Sequence, residues 1–90
     1  MPQVRIPTPL RKFTNGVDVI PGQGGTIGEV LAGLCTTYAD FKPRLFKDDG
    51  TLNRFVNVFV NDEDIRFMED LKTPVAEKDE ISIIQAVAGG

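Results

Sequence analysis

The stretch Phe55-Val56-Asn57-Val58-Phe59-Val60 carries the strongest strand signal in the chain, because β-branched and aromatic residues dominate it. Its three valines alternate with Asn57 and Phe59, so they share one face of the strand. Asn61-Asp62 then favours a tight turn into a short return strand around residues 64–66. This part of the sequence therefore predicts a half-buried strand followed by a hairpin.

Two further strands are predicted near the N-terminus. Gln3-Val4-Arg5-Ile6-Pro7 alternates apolar and polar residues, which places Val4 and Ile6 on a buried face. Asn15-Gly16 suits a turn with positive φ, after which residues 17–20 return antiparallel to the first strand. Because prolines lack a backbone donor, those at positions 7 and 9 predict a bulged or interrupted first strand.

A helix is predicted to begin behind Thr26. Thr26-Ile27-Gly28-Glu29 has the form of a capping box, in which the hydroxyl and the carboxylate each satisfy a backbone N–H group. The apolar residues at helical spacing form one stripe that faces a core: Ile27, Val30, Leu31, Leu34, Cys35 and Tyr38. Cys35 is therefore expected to be a core thiol and not a redox centre. Gly28 and Gly33 are expected to allow close approach to a sheet.

The remaining segments complete the predicted domain. Turn-forming residues are frequent between residues 39 and 54, which predicts a short helical turn followed by a loop. Residues 80–85 read as a final strand with two inward isoleucines. The order strand, strand, helix, loop, strand, short strand, strand predicts a two-layer α+β domain, with one main helix across one face of a mixed sheet. Residues 1–85 are assigned to this domain and residues 86–90 to a flexible C-terminal tail.

The amino-acid composition limits the classes of protein to which this chain can belong. A chain of 90 residues with 41% hydrophobic and 26% charged residues fits one small globular domain. With no histidine and one cysteine, it cannot assemble a zinc site, a Ser-His-Asp triad or a Cys-His pair. Apolar runs fall short of the ~20 residues of a membrane helix, and the N-terminus lacks a secretory signal. We therefore expect a cytoplasmic protein without a membrane partner.

The charge balance argues against nucleic acid as a partner. Thirteen Asp and Glu residues against ten Lys and Arg residues give a net charge of -3, so the chain has no basic excess to neutralise phosphates. Residues 1–45 carry a net charge of +2, whereas residues 46–90 carry -5. The sequence therefore predicts that the C-terminal half presents an acidic surface that guides docking, and the alternative is that this surface only keeps the protein soluble.

Two loops resemble ligand sites without meeting their requirements. Pro21-Gly22-Gln23-Gly24-Gly25 precedes the helix, but its spacing matches neither a dinucleotide fingerprint nor a Walker A loop. We interpret it as a plain connector. Asp62-Glu63-Asp64 lacks the glycine and the further ligands of a calcium loop, which leaves a solvated hairpin tip as the prediction.

The C-terminal tail is the most informative candidate site. Ala86-Val87-Ala88-Gly89-Gly90 has small side chains and ends in two glycines that cannot pack. In extended form it reaches about 17 Å at ~3.4 Å per residue, enough to place a terminal carboxylate inside a partner's narrow active site. A frayed chain end is the alternative interpretation.

With a hairpin, a helix, a loop and closing strands before a Gly-Gly end, the chain resembles the ubiquitin-like ThiS/MoaD family of sulfur carriers, whose fold is the β-grasp. Three segments most resemble the carriers of thiocarboxylate-dependent cysteine biosynthesis: residues 4–8, residues 54–67 (Arg54-Phe55-Val56-Asn57-Val58-Phe59-Val60-Asn61-Asp62-Glu63-Asp64-Ile65-Arg66-Phe67) and residues 86–90. The family's functional residue is its terminal glycine, which maps onto Gly90. The resemblance implies that Gly89, Ala88 and Val87 are recognised by partners as the tail.

The resemblance also implies a chemistry in which this chain is not an enzyme. An E1-like adenylating enzyme uses ATP and Mg²⁺ to form a Gly90 acyl-adenylate, and a sulfur donor converts it to a thiocarboxylate. A pyridoxal-phosphate cysteine synthase then accepts the sulfur, and a metal-dependent hydrolase frees cysteine from the carrier. These cofactors belong to the partners, and none is expected on this chain.

The β-grasp order that the resemblance implies places the last strand beside the third. If the valines face the helix, Phe59 and Ile84 face away from it as an exposed apolar pair. With Arg5 at the rim, they are predicted to form a partner-docking patch. Cover by a loop is the alternative.

Three other functions remain open at this point. The same fold and ending would serve sulfur delivery to molybdopterin, thiamine or modified tRNA. A ubiquitin-like modifier would instead transfer Gly90 to lysine amines on target proteins. A plain binding module would not need its tail.

Overall fold

The computed structural model describes residues 1–85, so the tail predicted over residues 86–90 lies outside the described residues. Five strands build one sheet: β1 Gln3–Arg5, β2 Val19–Pro21, β3 Val56–Val60, β4 Glu63–Asp64 and β5 Glu80–Gln85. Two α-helices accompany them: α1 Ile27–Thr37 and α2 Lys42–Leu45. Short 3-10 segments span Thr8–Thr14, Ala39–Phe41, Ile65–Phe67 and Asp70–Lys72. No helix within residues 1–85 is long and apolar enough to cross a bilayer.

The strands follow the order β2-β1-β5-β3-β4 across the sheet. β1 and β5 run parallel, whereas β1 with β2, β3 with β5 and β3 with β4 run antiparallel. The last strand therefore lies at the centre, between the first and the third. The predicted mixed sheet with one main helix is confirmed.

The core lies between α1 and one face of the sheet. The alternation predicted for β3 is present, because Val56, Val58 and Val60 are buried while the two residues between them are partly exposed. The largest side chains that are fully buried come from every layer of the fold: Val4, Ile6, Ile27, Val30, Leu31, Phe41, Leu45, Val58, Ile65 and Ile81. Their burial away from water is the main force that holds the two layers together.

The connection between β1 and β2 is longer than a tight hairpin. The 3-10 segment Thr8–Thr14 intervenes, with Pro9 at its start. Asn15 then adopts the left-handed region with φ 57°, and Gly16 follows with φ 85°. The turn chemistry and the interruption of the first strand were both predicted, whereas the 3-10 segment carries no periodic signal in the sequence.

α1 begins as the capping box predicts. The Thr26 hydroxyl accepts a hydrogen bond from the backbone N–H of Glu29 at 3.2 Å. The Glu29 carboxylate accepts from the N–H of Gly25 at 2.7 Å. Both bonds satisfy donors at the helix start that have no partner inside the helix.

The helix glycines do not contact the sheet, which corrects the sequence-based expectation. A Cβ at Gly28 would lie 3.1 Å from the carbonyl oxygen of Leu71, which belongs to the 3-10 segment Asp70–Lys72. A Cβ at Gly33 would meet only the carbonyl oxygen of Gln23, at 3.9 Å. Gly28 therefore lets α1 approach a loop that lies 43 residues further along the chain.

Candidate functional site

β5 carries the chain to the point where the predicted tail begins. It is hydrogen-bonded on both sides, with Val4 of β1 opposite Ile81 and Val56 of β3 opposite Gln85. As the central strand it holds Gln85 in a defined place. The predicted sulfur-attachment and tail-recognition residues lie beyond it, outside the described residues: Val87, Ala88, Gly89 and Gly90. Their roles therefore stay predictions.

The three predicted docking residues lie on the face of the sheet opposite to α1. Arg5 and Phe59 are both cross-strand partners of Ser82, one from each side of β5. Ile84 lies diagonally from Phe59, at about 7–8 Å for such neighbours. Ile84 is 46% exposed, whereas Phe59 is half-buried, so the apolar pair is less exposed than expected. Whether a partner docks here stays a prediction.

Arg5 is oriented by an ion pair across the sheet. Its Nε and Nη2 groups donate to one oxygen of Glu80, at 3.1 Å and 2.6 Å. This hydrogen bond and the charge of Glu80 raise the pKa of Arg5 above its ordinary value. Because both side chains are exposed, the pair adds little to stability. The ion pair holds the guanidinium against β5, on the face of the sheet opposite to α1, which is called here the open face.

Asp64 corrects the prediction of a solvated hairpin tip. Asp62 and Glu63 are exposed, but Asp64 is only 8% exposed and faces Phe59 across the β3–β4 pair. Its carboxylate accepts from Arg66 Nη2 at 2.8 Å and from the Arg66 backbone N–H at 2.9 Å. These hydrogen bonds lower the pKa of Asp64 despite its burial. This pair was not predicted from the sequence. The pattern that could have indicated it is an acidic residue at the end of a short strand, with an arginine two residues later.

The acidic run does not gather into a metal site within the described part of the chain. No group of three or more acidic or sulfur ligands lies close enough together there to hold an ion. Asp79, the other acid beside this turn, accepts instead from the Asn61 side-chain amide at 3.0 Å and from the backbone N–H of Ala76 at 2.7 Å. Both bonds lower the pKa of Asp79 and close the loop that precedes β5.

Cys35 is half-buried, which is less than the core position predicted for it. It lies in a surface groove with Thr36, Lys42 and Phe46. Burial raises the pKa of the Cys35 thiol, and the nearby Lys42 charge offsets this only in part. A thiol with a raised pKa is mostly protonated at neutral pH, so its environment does not favour nucleophilic chemistry.

Phe67 is the most exposed large apolar residue of residues 1–85 and was not singled out from the sequence. It is 84% exposed and follows Arg66 in the 3-10 segment after β4. A groove of about 430 Å³ lies along the same edge, between β3, that segment and residues 51–54. Its walls include the Asp64 and Arg66 pair.

A central β5 between parallel β1 and antiparallel β3, with one long helix across the sheet, defines a ubiquitin-like β-grasp domain. The ThiS family matches residues 4–90, and the chain belongs to this family. The resemblance noted from the sequence is thereby confirmed.

Individual relatives match this chain over nearly its full length. The sulfur carrier protein CysO of Mycobacterium tuberculosis is 44% identical over 89 residues, which cover 97% of this chain and 96% of that protein. The Amycolatopsis orientalis BexX/CysO complex contains a chain with a TM-score of 0.91 and 41% identity, covering 100% of both chains. The small archaeal modifier protein 1 of Methanosarcina acetivorans has a TM-score of 0.85 and 29% identity, covering 98% of this chain and 94% of that one.

Proposed function

We propose that this protein is a sulfur carrier whose reactive group is the terminal carboxylate of Gly90. The observation that supports the proposal best is the 44% identity, over 97% of the chain, to a protein named as a sulfur carrier. The fold supports it too, because β5 is hydrogen-bonded to a strand on each side and is the last strand before residues 86–90.

The chemistry follows from the poor reactivity of a carboxylate. A Gly90 oxygen attacks the α-phosphorus of ATP in an E1-like enzyme, pyrophosphate leaves, and an acyl-adenylate forms. A sulfur donor then attacks the acyl carbon and AMP leaves, so the carboxylate becomes a thiocarboxylate. ATP and Mg²⁺ are bound by that enzyme, and this chain acts as the substrate. It needs no active site or cofactor of its own.

The proposed destination of the sulfur is cysteine. The thiocarboxylate sulfur adds to an aminoacrylate held by a pyridoxal-phosphate cysteine synthase, and a metal-dependent hydrolase then releases cysteine from the chain. The name CysO of the mycobacterial relative supports this route over delivery to molybdopterin, thiamine or tRNA. A relative in complex with a second protein supports partner binding as the way these carriers work. We propose that the patch of Arg5, Phe59 and Ile84 serves that purpose in the cytoplasm.

The test uses the full chain with the E1-like enzyme of the same organism, ATP, Mg²⁺ and sulfide. Intact-mass spectrometry should show a gain equal to the difference between one sulfur and one oxygen atom. Omitting ATP is the control and should leave the mass unchanged. A chain that is never adenylated by any E1-like enzyme of that organism would contradict the proposal.

A second function has one observation in its favour. The structural neighbour from M. acetivorans is named a small archaeal modifier protein and is 29% identical to this chain. In a modifier, a lysine amine attacks the activated Gly90 and an isopeptide bond forms. Tryptic peptide mapping after the same incubation in cell lysate separates the two, because only a modifier leaves a C-terminal remnant on lysines; trypsin cuts after Lys78, so that remnant comprises residues 79–90.

A further inference from the structure

The two ends of the sheet carry opposite charge. The end where β5 finishes is called here the tail end, and the end where β5 starts is called the far end. Because β1 is parallel to β5, the residues that follow β1 lie at the tail end. Because β3 is antiparallel to β5, the residues that precede β3 lie there too. The topology therefore gathers segments from distant parts of the chain around the point where the tail begins.

Four cations lie at the tail end and are called the cationic collar: Arg11, Lys12, Arg44 and Arg54. Arg11 and Lys12 belong to the 3-10 segment that follows β1, and Arg54 lies two residues before β3. Arg44 joins them because its guanidinium lies 5.3 Å from the centroid of the Phe13 ring in that same segment.

The collar is held by defined contacts. Arg11 Nε donates to the carbonyl oxygen of Ile6 at 3.0 Å, directly after β1. Lys12 Nζ and the Arg44 guanidinium each lie 5.3 Å from the centroid of the Phe13 ring. That ring packs edge-on against the buried Phe41, with centroids 6.2 Å apart. Such cation–aromatic contacts position the charges without neutralising them.

Anions near the collar are fewer than its cations. With Lys42 added, five cations stand against Asp18 and Asp40, a net charge of +3. The loop 47–50 joins this region through the hydrogen bond from Asn53 N–H to the Leu45 carbonyl. Its one lysine and two aspartates reduce the net charge to +2. The groove that Arg54 lines also contains Asp64, Glu69 and Asp70 with Arg66 and Lys72, which leaves a net charge of +1.

The far end is acidic. Five anions lie there, around the β3–β4 turn and the start of β5: Asp62, Glu63, Glu77, Asp79 and Glu80. Hydrogen bonds from Asn61 to Asp79 and from Glu80 to Asn61 tie these segments together. The cations beside these segments are Lys78, the N-terminal amine, which lies 3.6 Å from Glu77, and Arg5, which pairs with Glu80. The net charge there is -2.

We propose that the cationic collar docks against an acidic rim around the tail-binding site of the activating enzyme. This inference rests on the proposed function, and it adds to that function the charge of the enzyme surface that the chain contacts. It replaces the expectation that the acidic half of the sequence guides docking, because five acidic residues of that half lie at the far end, away from the end of β5. A partner of complementary charge attracts the tail end and repels the far end, so the encounter is oriented as well as accelerated.

The experiment compares two lysines at opposite ends of the sheet in the full chain. Lys12→Glu and Lys78→Glu remove the same exposed side chain and change the net charge equally. Thiocarboxylate formation by the E1-like enzyme is followed at low salt. Lys12→Glu should lower kcat/KM about tenfold through KM, and Lys78→Glu by less than about twofold, since steering acts on encounter rates. Added salt should reduce the difference between the two variants.

A further variant and two controls complete the test. Arg54→Glu should act like Lys12→Glu, and the thermal midpoints of all variants should match wild type because the replaced side chains are exposed. Equal effects at both ends, or none at Lys12 and Arg54, overturn this inference while wild type still acquires sulfur. A wild-type chain that acquires no sulfur overturns the proposed function itself, and this inference with it.

Discussion

Gln85 lies opposite Val56 in the antiparallel ladder between β5 and β3, one position beyond the pair of Ile84 and Asn57. This register places Ile81 and Ile83 in the core and Ile84 on the open face. A slip of one residue would exchange those faces and expose the core isoleucines. The burial of β5 therefore determines both the stability of the sheet and the position of Gln85 at its end.

The tail should be needed for activation and not for folding. Deleting Gly89 and Gly90, or adding one residue after Gly90, removes or displaces the carboxylate that is to be adenylated. We expect both changes to abolish ATP-dependent gain of sulfur, measured by intact mass. The thermal midpoint should stay within error of wild type, because the described core is built from residues 4–83. Sulfur gain by the truncated chain would refute the role of Gly90.

Ile84 offers the cleanest test of the docking patch. Ile84→Lys introduces a charge on the open face at a site that is 46% exposed, so the fold should tolerate it. We expect weaker binding to the activating enzyme by at least about tenfold, as for a central interface residue. Phe67→Lys is the matched control, because Phe67 is more exposed and lies beyond β4 at the sheet edge. Equal losses from the two changes would argue against a patch at Ile84.

The half-buried Phe59 needs a milder change than a lysine. Phe59→Ala keeps the strand and removes the ring. The loss of binding free energy should therefore exceed the loss in the free energy of unfolding. Titration calorimetry and urea unfolding of the same sample separate the two effects.

Asp64 should make stability depend on acidity. Its pKa is lowered in the folded state by Arg66, so its contribution is complete above the unfolded value of about 3.9 and disappears as pH falls through the lower folded value. Asp64→Asn should destabilise the protein by about 1.5–3 kcal/mol at pH 7, the scale of a hydrogen bond to a charged group. Urea unfolding should show this difference shrinking below about pH 4. A difference independent of pH would assign the loss to packing alone.

Two glycines should respond to alanine with opposite signs. A Cβ at Gly22 would lie 2.8 Å from Val30 Cγ1 and 3.0 Å from Val4 Cγ2, inside the packed core. Gly22→Ala should therefore cost about 1–3 kcal/mol. Gly33 lies within α1 with its nearest contact at 3.9 Å, so Gly33→Ala should stabilise the protein by about 0.5–1 kcal/mol. Chemical denaturation of both variants measures these changes, and a shared sign would contradict the packing described here.

Cys35 should react slowly with iodoacetamide. Burial raises the pKa of its thiol, so less thiolate is present at neutral pH than in free cysteine. We expect a lower alkylation rate and a pH–rate curve shifted to higher pH than for free cysteine. Unfolding in urea should restore the ordinary rate. Lys42→Ala should slow the reaction further, because the Lys42 charge favours the thiolate.

Local features of this protein were readable from the sequence because their causes act over a few residues. The alternation in β3, the Thr26 cap and the inward isoleucines of β5 each follow from a period or a hydrogen bond within one element. The positive φ angles of Asn15 and Asn61 follow from the tolerance of asparagine for the left-handed region. The tail was also predicted from the sequence, since two terminal glycines have no use in packing, and it stays a prediction.

The tertiary structure alone decided where distant segments meet. The pairing of Arg5 with Glu80 joins residues separated by 75 positions, and no local pattern specifies it. Asp64 was expected to be solvated because a short turn is usually exposed, but packing of the following 3-10 segment buried it beside Arg66. The charges of the two ends of the sheet do not follow those of the two halves of the sequence, because segments from distant parts of the chain meet at each end. Parallel pairing of β1 with β5 places basic N-terminal residues near the C-terminal end of β5, and the pairing of first and last strands depends on long-range packing.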